Sequence, residues 1–279
     1  MKPGPVRPSA IAGSWYPGDA TAIRAEVDRY LDAVPATALP GRLIALVAPH
    51  AGLRYSGPVA AHAYATLRGR ERLTAVLVGP SHRAAFDGVA LYDRGAFETP
   101  LGRAAIDEDV AARILAGSDA VVSDERPHRL EHSLEMQLPF LQRLVPGVRI
   151  VPLLMGRQVR AEVDALAAAL ATVAGAPDVL LIASSDLSHY HPAPVANRLD
   201  AEVIAEVEAL RPDGLMGLLE RSHEHACGGG PMVAVMKAAV AAGARAARIL
   251  CYADSGDAGE RDKSRVVGYL AAALTDAAP

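Results

Sequence analysis

Leu43-Ile44-Ala45-Leu46-Val47-Ala48-Pro49-His50 is a run of six apolar residues closed by a proline and a histidine. The pattern returns twice. Leu73 to Gly79 ends in Pro80-Ser81-His82, and Val179 to Ala183 ends in Ser184-Ser185-Asp186-Leu187-Ser188-His189. Uninterrupted apolar strands separated by helix-length segments suit a largely parallel sheet covered on both faces, where neither face of a strand meets water. In open α/β sheets, ligands gather outside the carboxyl ends of the strands. A side chain a few residues beyond such an end reaches the common crevice, and each run sends a histidine there. Cys227 lies further on, in Ala226-Cys227-Gly228-Gly229-Gly230-Pro231.

Working outward, the pattern predicts strands at 42–48, 73–79, 88–92, 148–155, 178–184, 247–252 and 265–270. Helices are predicted at 20–33, 57–68, 107–116, 133–144, 159–174, 193–210, 213–221 and 231–242. Ser56 precedes Gly57-Pro58, and Pro231 sits where a first-turn proline belongs. Asp107 and Asp109 load one helix start with negative charge. Pro139 should kink or end the helical pattern of Ser133 to Leu144. The polar stretches 92–104 and 117–132 read as rim loops or lids. With no repeat, low-complexity tract or long linker, the reading is one domain over 1–279.

Composition excludes several classes. The chain has 279 residues, 51% of them hydrophobic and 22% charged, as in an ordinary globular protein. A formal charge of -4 argues against a nucleic-acid partner, which calls for a basic face. Aromatics at 4% are too few for a base-stacking platform. The start, Met-Lys-Pro-Gly-Pro-Val-Arg-Pro, has no apolar core and is not expected to be a secretory signal. The longest apolar stretch, 165–176, is too short to span a bilayer and reads as a buried helix, so no membrane partner is expected. Two cysteines, Cys227 and Cys251, make no disulfide framework, and the expected location is a reducing cytoplasm. Cys251, inside an apolar run, reads as a buried core thiol.

His50 and His82 each follow a proline that ends a strand, so each either caps its strand locally or turns its imidazole into the cleft as a metal ligand. Cys227 is either a free loop thiol or a third ligand. Its glycines allow close backbone approach, and a helix beginning near Pro231 should lower its pKa toward thiolate. A His₂Cys set with an open position suits zinc, iron or copper. Asp186, three residues before His189, could fix that imidazole for acid/base work or cap a short turn. His132 and Glu135 could back the site as supporting groups, and His225 competes for a ligand position. His128 and His191 read as surface residues, while His62 packs or faces solvent.

The motifs have a recognisable order. They begin with Arg7-Pro8-Ser9-Ala10-Ile11-Ala12-Gly13-Ser14-Trp15-Tyr16-Pro17, Ala48-Pro49-His50-Ala51-Gly52 and Tyr55-Ser56-Gly57. Gly79-Pro80-Ser81-His82, Glu131-His132-Ser133-Leu134-Glu135 and Gln137-Leu138-Pro139-Phe140 follow. Ser184 to Tyr190, Ala226-Cys227-Gly228 and Ala253-Asp254-Ser255-Gly256 complete the series. With these the chain resembles, over nearly its whole length, the Memo (mediator of cell motility) family, whose bacterial members are called AmmeMemoRadiSam system protein B. The resemblance implies a three-layer α/β/α sandwich with a largely parallel, mixed central sheet, like the class III extradiol dioxygenases. Those non-haem iron enzymes hold Fe(II) with two histidines and a carboxylate, and a further histidine handles protons. By that analogy His50 and His82 are ligands, and His189 with Asp186 is the acid/base pair. Cys227 stands where the dioxygenases have their acidic ligand. The implied cofactor is a divalent metal, iron first, with copper and zinc as alternatives. A thiolate is softer than a carboxylate, which alters metal preference and oxygen chemistry.

The vertebrate member is associated with phosphotyrosine peptides, metals and redox signalling. Trp15 lies in the stretch matching its peptide cleft, although no arginine cluster for a phosphate is visible along this chain. The bacterial name implies radical SAM and AMMECR1-type partners. Three readings follow. The first is a redox or oxygenase-like metalloenzyme acting on a small molecule or peptide. The second is a partner-binding protein with a vestigial dioxygenase-like cleft. The third is a metal-free hydrolase or transferase with Cys227 as nucleophile and His189–Asp186 as base and orienter.

Overall fold

In the computed structural model, which describes residues 4–35, 38–258 and 262–277, the three apolar runs lie side by side in one sheet. The first three residues of the N-terminal stretch lie outside the described residues. The strands are β1 (Val6–Arg7), β2 (Leu43–Ala48), β3 (Thr74–Pro80), β4 (Val89–Leu91), β5 (Ala96–Thr99) and β6 (Gly102–Ile106). They continue with β7 (Val121–Ser123), β8 (Arg149–Met155), β9 (Val179–Ser184), β10 (Asp186–His191), β11 (Ala246–Asp254) and β12 (Val266–Thr275). The helices are α1 (Ala20–Asp32), α2 (Leu53–Ala65), α3 (Glu108–Leu115), α4 (Leu138–Leu144), α5 (Arg160–Ala171), α6 (Ala193–Glu208), α7 (Pro212–Arg221) and α8 (Gly229–Ala241).

The main sheet order is β1-β5-β6-β8-β3-β9-β2-β12-β10, with β11 on β12 and β4 and β7 branching from β8. From β6 through β8, β3 and β9 to β2 every pairing is parallel, with Val76 level with both Val151 and Leu181. β12 is antiparallel to β2, β10 and β11, which makes the sheet mixed. Every residue of β2 and β3 is buried, as their unbroken apolar character demands. One helical layer holds α1, α2 and α4; the other runs from α6 through α7 and α8 to α5 and α3. The result is the expected three-layer α/β/α sandwich. No helix among the described residues is long and apolar enough to cross a membrane.

The differences from expectation have physical causes. The stretch 92–104, read as a rim loop, carries most of a β5–β6 hairpin, because Ala96, Phe97, Thr99 and Ala104 are buried. α2 starts at Leu53 rather than at residue 57. Leu53 is buried and Gly57 packs on the Tyr30 ring, so the helix runs upstream of Pro58 and holds the proline inside it. Pro139 lies in the first turn of α4, after a short 3₁₀ turn at Glu135–Gln137, and so opens that helix instead of ending it. The tail of the third run is a strand, β10, which bulges twice as it pairs with β12. Cys251 is only partly buried, on β11.

Candidate metal centre

Because β2, β3 and β9 are parallel neighbours, their carboxyl ends open on one cleft of about 660 Å³. His50 leaves β2 into it, His82 leaves β3, and Asp186 and His189 follow β9. The His50 and His82 rings stand edge to face with centroids 5.2 Å apart. A third imidazole joins them. His132 stacks on His82 at 4.5 Å and meets His50 edge-on at 5.5 Å. Gly79 makes room for the segment bearing it, since a Cβ there would lie 2.8 Å from Leu134 Cδ2 and 2.9 Å from Ser133 Oγ. One ligand atom from each of His50, His82 and His132 lies within 4.8 Å of the others, so the three could hold a metal ion.

Hydrogen bonds behind the rings decide which nitrogens face the cleft. Tyr64 donates its hydroxyl to Gln137 Oε1, at 2.6 Å, which turns the Gln137 amide nitrogen toward Ser184 Oγ, at 2.8 Å. Ser184 spends its one hydrogen on the Ser133 carbonyl, at 2.7 Å. Its oxygen can therefore only accept from His50 Nδ1, 2.8 Å away. His50 is thus protonated at Nδ1 and carries its lone pair on Nε2. At His82, Glu131 Oε1 lies 2.9 Å from Nδ1 and has the same effect, because a carboxylate only accepts. Glu131 also accepts from the backbone N–H groups of His82, at 2.5 Å, and of His132 and Ser133, both at 2.9 Å. Burial alone would raise the Glu131 carboxyl, but these donors outweigh it and hold the group well below the usual carboxylate range. Burial lowers His132 to about 4, so its ring is neutral near pH 7. Its Nδ1 lies 3.3 Å from Glu131 Oε1, but it is buried without a hydrogen bond.

Cys227 Sγ sits 3.2 Å from His50 Nε2 and 3.6 Å from the Asp186 carbonyl. Gln158, just past β8, grips its loop: the amide nitrogen donates to the Cys227 carbonyl at 2.7 Å, and Oε1 accepts from Gly230 N at 2.8 Å. Gly228 brings the loop against the end of β9, where a Cβ would come 2.5 Å from the Ser184 carbonyl. The expectation of a lowered thiol pKa is overturned. Burial, reinforced by the Asp186 carboxylate, pushes the Cys227 thiol up and outweighs the hydrogen bonds that would lower it.

Asp186 Oδ1 accepts from the backbone N–H groups of His50, at 2.7 Å, and Ala51, at 3.2 Å. It holds the turn that presents His50, and no hydrogen bond from it to the His189 ring occurs among the described residues. Burial raises the Asp186 carboxyl to about 7. Burial lowers His189, partly offset by a bond to the Leu187 backbone, so this cleft-lining ring is also neutral near pH 7.

Trp15 lines the cleft, with its ring 4.2 Å from that of His132, and its backbone carbonyl accepts from Leu53 N at 2.8 Å. Behind it, Glu135 binds Arg7 and Ser9, each at 2.5 Å, Tyr16 at 2.6 Å and Ala10 N at 2.9 Å, strapping the N-terminal segment to the His132 segment. Arg54 and Arg265 both line the cleft, so the fold gathers two guanidinium groups that adjacency in sequence could not reveal. The remaining histidines lie elsewhere. His225 pairs with Glu202 and the Ser222 carbonyl, each at 3.3 Å, and does not line the cleft. His128, expected at the surface, is buried and bonds the Ala90 carbonyl at 3.1 Å.

The sequence reading missed the roles of Ser184, Gln137, Glu131 and Gln158. Only the Glu131-His132 juxtaposition offered a signal for any of them. The donor set fits a divalent ion: two imidazoles have Nε2 lone pairs set by their Nδ1 bonds, His132 keeps an unbonded buried nitrogen, and a thiol adjoins His50.

The comparisons with known proteins agree over almost the full length. A family model described as Memo-like protein matches residues 7–273. A MEMO1 family protein of Methanothermobacter thermautotrophicus is 36% identical over 274 residues, covering 95% of this chain and 98% of its own. One from Methanosarcina acetivorans is 39% identical over 270 residues, with coverage of 95% and 98%. One from Sulfolobus acidocaldarius is 35% identical over 286 residues, with coverage of 97% and 100%.

Proposed function

The chain belongs to the Memo family, and from that premise we propose that it is a non-haem metalloprotein with redox or oxygenase-like activity on a small molecule bound in the cleft. The observation that carries the reading is the convergence of His50, His82 and His132, with the lone pairs of the first two directed by Ser184 and Glu131. In this reading His50, His82 and Cys227 hold a divalent metal, and His132 completes the donor set. Mixed nitrogen and sulfur donors suit iron, copper or zinc, and the family resemblance puts iron first. A metal of this kind supplies Lewis acidity and, for iron or copper, electron transfer.

The chain's own residues supply the rest. His189, neutral because burial lowers it, can take a proton from a substrate hydroxyl at a ring nitrogen. Asp186 fixes the His50 turn, and Trp15 walls the cleft over His132 and helps exclude water. A metal-free nucleophilic role for Cys227 is disfavoured, since burial keeps the proton on sulfur. Two free cysteines suit a reducing cytoplasm as the location.

Metal analysis of protein purified without oxygen tests the reading. The native chain should carry stoichiometric metal, and His50→Ala, His82→Ala and Cys227→Ser should each lose most of it. Equal metal content in the native chain and all three variants would refute the ligand assignment. His132→Ala, measured alongside, decides whether that ring ligates or only packs.

A further inference from the structure

Strand register decides that His189 faces the cleft. Successive side chains of β12 alternate in direction. Val267 and Tyr269 line the cleft, whereas Val266 packs with Ala193 and Ala196 of α6, and Gly268 lies against Asp200 of the same helix. β10 pairs Asp186 with Tyr269 and His189 with Val267. Two residues, Leu187 and Ser188, therefore oppose the single Gly268, which makes a β-bulge. In an unbulged ladder Ser188 would stand opposite Val267 and His189 opposite Val266. The cleft would then receive a hydroxyl, and the imidazole would turn toward α6. One extra residue exchanges the two.

This register is held against local preference. His191 pairs with Val266, so Tyr190 is surplus as well, and its φ of 61° is a left-handed conformation that costs an aromatic residue energy. The group placed to oppose a slip is Asp200. It is wholly buried, and its Oδ1 accepts from Ser188 N–H at 2.9 Å, at the bulge itself. Tyr252 on β11 donates its hydroxyl to Oδ2 at 2.8 Å and fixes the carboxylate from the other strand. Gly268 makes the room, since a Cβ there would lie 2.6 Å from Asp200 Cγ. One carboxylate thus joins α6, β10 and β11 at the glycine of β12.

We propose that Asp200 is a positioning residue: through the space left by Gly268 it holds the Ser188 N–H and fixes the bulge that turns His189, instead of Ser188, into the cleft. The placement stands on register and hydrogen bonding alone. That the placed ring moves a proton rests on the metalloprotein reading above.

Nuclear magnetic resonance of the full chain without added metal, with labelled histidine rings and valine methyls, tests this. Residues directly opposite on one face hold their Cβ atoms about 4.5–5.5 Å apart, so the native chain should show an Overhauser contact between the His189 ring and Val267. Asp200→Ala should lose that contact, gain one to Val266, and exchange the Ser188 amide about tenfold or more faster. Asp200→Asn keeps an oxygen for the Ser188 N–H and should retain the native contact. Gly268→Ala pushes the carboxylate away from β12 and should reproduce the loss, which puts the same question to a second strand if Asp200→Ala does not fold. Should neither fold, the native chain decides: a His189–Val267 contact with a slowly exchanging Ser188 amide supports the assignment, and the lack of either overturns it. A His189–Val267 contact that survives in Asp200→Ala, with or without a lower melting temperature, would make Asp200 merely structural and overturn the proposal. Loss of the contact in Asp200→Asn would overturn it too. Because no metal is added, refutation of the metal centre would leave this assignment standing, and its own failure would leave that centre untouched.

Discussion

A hydroxyl hydrogen on Ser184 decides the chemistry of His50. Its donation to the Ser133 carbonyl leaves only acceptor capacity for the imidazole, and Tyr64 and Gln137 enforce that choice from further back. Ser184→Ala should therefore release His50 Nδ1, and metal affinity should fall about 10–100-fold, as for other residues that orient a ligand. Competition against a chelator of known affinity measures this, and an unchanged affinity would show that the tautomer is set some other way. Histidines after strands were legible in the sequence, because proline-terminated apolar runs mark where strands stop. Ser184 and Gln137 were not legible as tautomer-setting groups. Both are ordinary polar residues whose role exists only after β9 and the 3₁₀ turn before α4 bring them behind His50. His132 was visible only as a supporting group, because it sits in an irregular segment whose approach depends on the bare Gly79 backbone.

At the scale of elements, the N-terminal segment is held by one ion pair and its hydrogen bonds. Arg7 and Glu135 are almost wholly buried, and Arg7 also donates to the His128 and Glu131 carbonyls, at 2.5 Å each. Glu135→Gln strands the guanidinium and should cost about 3–5 kcal/mol in urea unfolding near pH 7. It should also loosen the Trp15 contact with His132, seen as altered tryptophan fluorescence, since Trp15 is the sole tryptophan. Burial alone would raise the Glu135 carboxyl, but Arg7, Ala10 N–H, Ser9 and Tyr16 outweigh it and hold the group below its ordinary 4.5. A carboxylate depressed in the folded state gives stability that is present above 4.5 and is lost as pH falls through the folded value. The native chain should therefore lose stability on acidification through a component that Glu135→Gln lacks. Identical acid profiles would argue against the ion pair. The long central strands and most helices were legible because burial imposes period and length. β1, β5, β7 and β10 were not, because short strands owe their existence to partners remote in sequence.

At the scale of the molecule, the donors arrive from four separated stretches: after β2, after β3, between β7 and α4, and just before α8. Ligation at the proposed centre would tie the sheet to both helical layers, and metal should then stabilise the fold as any native-state ligand does. At a free concentration of 100 times its dissociation constant the gain is about 2.7 kcal/mol, a rise of several degrees in melting temperature for a domain of this size. Scanning calorimetry before and after chelation measures it, and a chelator-insensitive transition would mean that no such tie exists. The same layout governs synthesis. β12 wedges between β2 and β11 and carries Val267 and Tyr269 at its cleft end. A nascent polypeptide with His50, His82 and His132 already outside the ribosome still lacks its thiol donor and one wall of the crevice. Loading of the proposed metal would thus belong after translation of β12, and a prematurely terminated product would leave its exposed imidazoles to scavenge ions without forming the proposed centre.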